Sequence, residues 1–150
     1  MTPTAEQLIG VLAVDDHAIF LDVAREVVTS TPGFCWVGEA GSGEEGLRAV
    51  EALSPDLVLL DMRMPGMDGL EAAHRITARH PGVVVVLVSI DEGSAIGPAI
   101  ERSGAAALVR KQELGPKLLR RLWELHGTGS SQRPRPGSSP PPTYPARRPS

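Results

Sequence analysis

A chain of 150 residues has room for one domain and a tail, and its formal net charge is −3. Residues 127–150 hold Arg133, Arg135, Arg147 and Arg148 without an acid, leaving 11 basic against 18 acidic side chains in residues 1–126. So acidic a body argues against a nucleic-acid surface on the folded part, and its longest apolar run, Val83 to Val88, is too short to span a bilayer.

Residues 1–7, beginning Met1-Thr2-Pro3-Thr4, lack a basic stretch followed by an apolar core, so they read as a short extension rather than a leader. A first strand is expected at Ile9–Val14, closed by Asp15-Asp16. Ile19, Val23 and Val27 then recur every four residues, a helical spacing. A second strand follows at Cys35–Glu39. Its single cysteine has no partner for an internal disulfide and reads as an inert buried thiol, in keeping with a reducing cytoplasm. Ser42 with Glu45 three residues on forms a capping box for the second helix.

The third strand, Leu57–Leu60, ends on Asp61. Pro65, Gly66 and Gly69 then force a tight excursion before a third helix capped by Asp68 and stopped by His80-Pro81-Gly82. The fourth strand, Val83–Val88, is closed by Ser89. Proline inside a helix costs about 3 kcal/mol and glycine about 1 relative to alanine. Pro98 is therefore expected to open a short fourth helix, with residues 91–97 irregular. A fifth strand, Ala106–Val109, leads to Lys111. Leu114, Leu118, Leu122 and Leu125 mark a last helix. Residues 127–150, rich in Pro, Ser, Gly and Arg, bury too little apolar surface to order; they read as a disordered tail in preference to a polyproline ligand.

Short β-rich runs without alternation are buried on both faces, as in a parallel sheet covered by helices. The expectation is a single α/β domain over residues 8–126: a doubly wound, flavodoxin-like (βα)5 with a five-stranded parallel sheet. Right-handed crossovers gather Asp15, Asp16, Asp61 and Ser89 at the carboxyl edge of that sheet.

Taken singly, Asp15-Asp16 could be a helix cap, Asp61 a turn former, Ser89 a loop hydroxyl and Lys111 a surface cation. Together they suit a divalent cation and a phosphoryl group. Two carboxylates about 5 Å apart repel by roughly 3 kcal/mol at an effective dielectric near 20. A hard, oxygen-seeking cation such as Mg²⁺ removes that cost.

The set Asp15-Asp16, Asp61-Met62-Arg63-Met64-Pro65-Gly66-Met67-Asp68-Gly69, Ser89 and Lys111 resembles the receiver domain of bacterial two-component response regulators. Asp15-Asp16-His17 and Gly104-Ala105-Ala106-Ala107 look most like the subfamily that normally carries a C-terminal helix-turn-helix, and no such segment follows here. The resemblance implies that Asp61 takes a phosphoryl group from a sensor histidine kinase or phosphotransfer protein. It implies that Asp16, Asp61 and the Arg63 backbone carbonyl hold Mg²⁺, helped by Asp15, with Lys111 and the Ser89 hydroxyl contacting the phosphoryl group. Direct nucleic-acid or membrane binding is not expected, the downstream partner is an unidentified protein, and homodimerisation is left open.

Two positions depart from the family in ways that touch signal output. The residue three before the lysine is usually aromatic and here is Leu108; the residue after the switch hydroxyl is usually small and here is Ile90. Gln112 replaces a frequent proline, which the subfamily also commonly lacks. The expectation is a stand-alone cytoplasmic receiver that catalyses only its own phosphorylation and dephosphorylation. The alternatives are a phosphorylation-independent interaction module or the remnant of a DNA-binding regulator. A haloacid-dehalogenase-like phosphatase is disfavoured, because that family spaces its two acids two residues apart and Asp15-Asp16 are adjacent.

Overall fold

Each central strand sends alternate side chains into two separate cores. In a computed structural model describing residues 8–91 and 97–127, Val11, Ala13, Leu57, Leu59, Val84, Val86 and Val88 pack on one side of the sheet. Leu12, Val14, Val58, Leu60, Val85 and Leu87 pack on the other. Both sets are buried, which is why these strands read as continuous apolar runs.

The element order is β1 (Ile9–Val14), α1 (Ala18–Thr29), β2 (Phe34–Ala40), α2 (Gly43–Leu53), β3 (Leu57–Asp61) and α3 (Gly69–Arg79). It continues with β4 (Val84–Ser89), α4 (Gly97–Ser103), β5 (Ala107–Arg110), a 3-10 turn at Lys111–Glu113 and α5 (Pro116–His126). The five strands are all parallel, in the order β2-β1-β3-β4-β5. This is the doubly wound, flavodoxin-like sheet. After β2 the chain crosses back over β1 to lay down β3, so strand order reverses between β1 and β3 and a crevice opens at their carboxyl ends.

Local chemistry sets the helix ends. Ser42 Oγ accepts the Glu45 backbone N–H (3.1 Å), while Glu45 Oε1 accepts from Gly41 N rather than from the cap residue itself. Asp68 Oδ1 accepts the Glu71 N–H (2.9 Å), and α3 stops at Arg79 before His80. Pro116, at the first position of α5, lacks an N–H that the helix would not have used.

The apolar stripe expected for α1 falls differently from its expected face. In α1 the buried residues are Phe20, Leu21, Ala24 and Val28, whereas Ile19 is 81% and Val23 45% exposed. The helix carries two overlapping apolar stripes, and four-residue spacing does not choose between them. The stripe expected for α5 packs on the first core through Leu114, Leu118 and Leu122, joined by the buried Leu119, and only Leu125 is left exposed. The fourth helix, described over Gly97–Ser103, already includes Gly97, so Pro98 is not its first residue. The irregular stretch expected before it falls largely on residues 92–96, and the N-terminal extension and proline-rich tail on residues 1–7 and 128–150. All of these lie outside the described residues.

Candidate functional site

At the end of β1, Asp15 is fully buried and Asp16 is exposed. Asp15 Oδ1 accepts the His17 backbone N–H (2.8 Å), an Asx-type turn that leads the chain into α1. The side-chain cap weighed for the pair goes no further, since the residue preceding α1 is His17 and it makes no side-chain capping bond.

Across the crevice, Asp61 closes β3 opposite Val88 of β4, and Met62 N bonds to Val88 O at 2.9 Å. The loop beyond it is held down by three buried methionines, Met62, Met64 and Met67, which join the second core. In sequence they read only as motif spacers. Unbranched and adaptable, they anchor a loop whose ends are joined by the Gly69 N–H to Met62 carbonyl bond of 2.9 Å. Gly66 takes a φ of 79° at the turn, and Gly69 brings the start of α3 onto the end of β3. A Cβ on Gly69 would collide with the Asp61 carbonyl oxygen and lie 2.7 Å from Met62 Cα, both backbone atoms that cannot rotate away. Gly69→Ala is therefore expected to destabilise the fold by about 2–4 kcal/mol in urea titrations, beyond the usual glycine-to-alanine range, by displacing Asp61.

Lys111, just after β5, reaches back over the sheet edge. Its Nζ lies 2.6 Å from Asp15 Oδ2 and 3.3 Å from Asp61 Oδ1, and 4.7 Å from the centre of the Phe20 ring. One buried cation thus faces two buried carboxylates. Asp61 Oδ2 is buried and has no hydrogen-bond partner. Burial, and next the neighbouring Asp15 charge, push the Asp61 carboxyl above the ordinary carboxylate range; Lys111 pulls it partly back. Ligand atoms of Asp15, Asp16, His17 and Asp61 all lie within 4.8 Å of one another. An orphaned buried oxygen amid surplus negative charge is what a hard divalent cation satisfies, and these residues fit Mg²⁺.

The remaining predicted positions flank this centre. Ser89 is buried at the end of β4, one residue beyond Asp61's strand partner, and its Oγ accepts the Asp91 N–H at 3.0 Å. Arg63 lies two residues past Asp61 with its side chain exposed, and its Nε stands 3.9 Å from Asp91 Oδ2 across the loops. Ile90 is 69% exposed. Leu108 pairs with Leu87 and packs, partly buried, against the second core. Cys35 is half-buried, and burial followed by the Asp56 charge raises its thiol pKa, which suits an unreactive role. Among the described residues no helix is long and apolar enough to cross a membrane.

A parallel sheet ordered 2-1-3-4-5, with an acidic crevice and a lysine at its switch point, defines the receiver class of α/β proteins. Residues 11–122 match the model of the response regulator receiver domain, and the chain belongs to that family. It is 38% identical over 104 residues to the response regulator GacA of Pseudomonas viridiflava, covering 69% of this chain and 49% of that protein. It is 38% identical over 143 residues to protein-glutamate methylesterase/protein-glutamine glutaminase 5 of Myxococcus xanthus, covering 88% of this chain and 41% of that protein. The chain thus spans about half the length, or less, of these curated relatives. The crystal structure of the response regulator domain of Thermotoga maritima CheB superposes with a TM-score of 0.70 at 30% identity, covering 78% of this chain and 95% of that one.

Proposed function

We propose that this receiver accepts a phosphoryl group on Asp61 from the phosphohistidine of a sensor kinase or phosphotransfer protein, in a Mg²⁺-dependent reaction, and signals by protein contact. The observation that carries this reading is the asymmetry of Asp61. One carboxylate oxygen faces Lys111 while the other is buried without a hydrogen-bond partner.

In the transfer, an Asp61 oxygen attacks phosphorus as the bond to the histidine nitrogen breaks, leaving an acyl phosphate and a free imidazole. Bound Mg²⁺ would neutralise charge on the phosphoryl oxygens, held by Asp16, Asp61 and the Arg63 carbonyl with help from Asp15. Lys111 contributes a fixed positive charge beside the acceptor, in place before reaction and so without reorganisation cost. The Ser89 hydroxyl can keep accepting from Asp91 N–H and turn its own hydrogen toward a phosphoryl oxygen. Such a charge-assisted bond is worth about 1.5–3 kcal/mol, enough to bias a two-state switch.

Incubation with acetyl phosphate and Mg²⁺ tests this reading. A mass gain of one phosphoryl group, absent in Asp61→Ala, is expected. The exposed Ile90 and the ring-less Leu108 favour a second reading, an interaction module that works without phosphorylation or descends from a DNA-binding regulator. Absence of label from both acetyl phosphate and a cognate kinase would select it. Ile90, at the mouth beside Ser89, is also expected to slow water reaching the acyl phosphate. Ile90→Ala should shorten the phospho-Asp61 lifetime about 5-fold, the effect of lowering a barrier by about 1 kcal/mol; equal lifetimes would contradict this.

A further inference from the structure

One donor in the crevice has no part in the chemistry above. His17 Nδ1 lies 3.0 Å from Asp15 Oδ1 and 3.2 Å from Asp16 Oδ1. Neighbouring ligands on an octahedron with bonds of about 2.1 Å stand roughly 3.0 Å apart, so these separations already match adjacent corners of one coordination sphere. The backbone fixes this placement, because the His17 N–H is bound to the same Asp15 oxygen. Lys111 takes Asp15 Oδ2 and Asp61 Oδ1, and so leaves the oxygen that faces His17 free of a lysine contact. The buried, unpartnered Asp61 Oδ2 points independently to an absent cation. The His17 side chain is 65% exposed and so accessible to an ion in solution.

We propose that His17 is a nitrogen ligand to the metal, turning an all-oxygen Mg²⁺ site into a mixed N,O site that also takes borderline first-row divalent cations such as Co²⁺ or Zn²⁺. This rests on the metal site of the preceding reading, since it uses the same carboxylates. Neutral imidazole supplies one lone pair. When the ring hydrogen sits on Nε2, the Nδ1 lone pair is available to the cation. Imidazole suits Zn²⁺ and its neighbours, whereas Mg²⁺ prefers oxygen and keeps its waters. The nitrogen therefore strengthens one class of ion and not the other.

The test uses the tag-free full chain and its His17→Ala variant. Mg²⁺ and Co²⁺ are titrated separately by calorimetry, with proton NMR of the Co²⁺ form. His17→Ala should weaken Co²⁺ binding about 10- to 100-fold, change Mg²⁺ binding less than about 3-fold, and abolish a paramagnetically shifted imidazole resonance. If both ions bind and the Co²⁺-to-Mg²⁺ ratio is the same in both proteins, His17 is not a ligand while the metal site stands. If neither ion binds the unmodified chain, the metal site and this extension of it both fall.

Discussion

Asp61→Asn should be more stable than the unmodified chain at neutral pH without divalent cation, by about 1–2 kcal/mol, although it cannot be phosphorylated there. The Asp61 carboxyl is held above its ordinary pKa, first by burial and then by the Asp15 charge. A carboxyl whose folded pKa exceeds its unfolded value destabilises the fold while ionised. That cost is complete above the folded pKa and absent below the unfolded one, near about 4. The advantage of asparagine should therefore shrink as pH falls through this window. It should also shrink when Mg²⁺ is added, because the cation relieves the same repulsion. At ten times its dissociation constant, an ion that binds only the folded state contributes about 1.4 kcal/mol. Urea titrations at pH 7 and pH 4, with and without Mg²⁺, check the sign in all four conditions.

Lys111→Met should have the opposite effect and a larger one. Lys111 is the cation seated against the buried Asp15 and Asp61 carboxylates, and its ammonium also stands over the Phe20 ring. Removing one partner of a buried ion pair typically costs about 3–5 kcal/mol, because the charge left behind keeps its desolvation penalty. In metal-free buffer a loss of about 3 kcal/mol is expected. Saturating Mg²⁺ should restore part of it, since the cation neutralises the same oxygens. Phosphoryl incorporation should not recover with stability: it should stay roughly 10²-fold slow, because the charge beside the acceptor is lost. Parallel unfolding and labelling assays separate the two roles. Equal recovery of both would assign Lys111 to folding alone.

These contrasts depend on a site whose parts were readable in sequence because topology, not local pattern, assembles them. Asp15, Asp16 and Asp61 each follow an apolar run, and parallel strands buried on both faces have to bring their carboxyl ends to one edge. Lys111 follows the same logic from β5. The helix faces were less legible. Ala18 to Val28 offers apolar residues on most sides, so Ile19 and Val23 fit a helical spacing as well as Phe20, Ala24 and Val28 do. Only packing against the sheet decides between them. Equally hidden were the three methionines under the Asp61 loop and the Lys111 contact with Phe20, both products of tertiary closure across distant segments. In sequence His17 served only as part of the subfamily's Asp15-Asp16-His17 marker; its ring enters the cluster through the Asp15 turn.

Under the proposed function, Leu108 and Ile90 would bear chiefly on output. Leu108, partly buried against the second core, has no ring or hydroxyl to reorient, and Ile90 is an exposed apolar residue directly after Ser89. Asp61, the proposed acceptor, lies at the carboxyl end of β3, opposite Val88 of β4.

The measurement that bears most directly on the central claim is chemical mapping of the phosphorylated residue. The chain is treated with acetyl phosphate and Mg²⁺, the acyl phosphate is reduced with borohydride to homoserine, and peptides are sequenced by mass. Conversion at Asp61 alone, lost when Mg²⁺ is chelated before labelling, is the expected result. Conversion at Asp15, Asp16 or another acid instead, or no conversion under any donor, would contradict it.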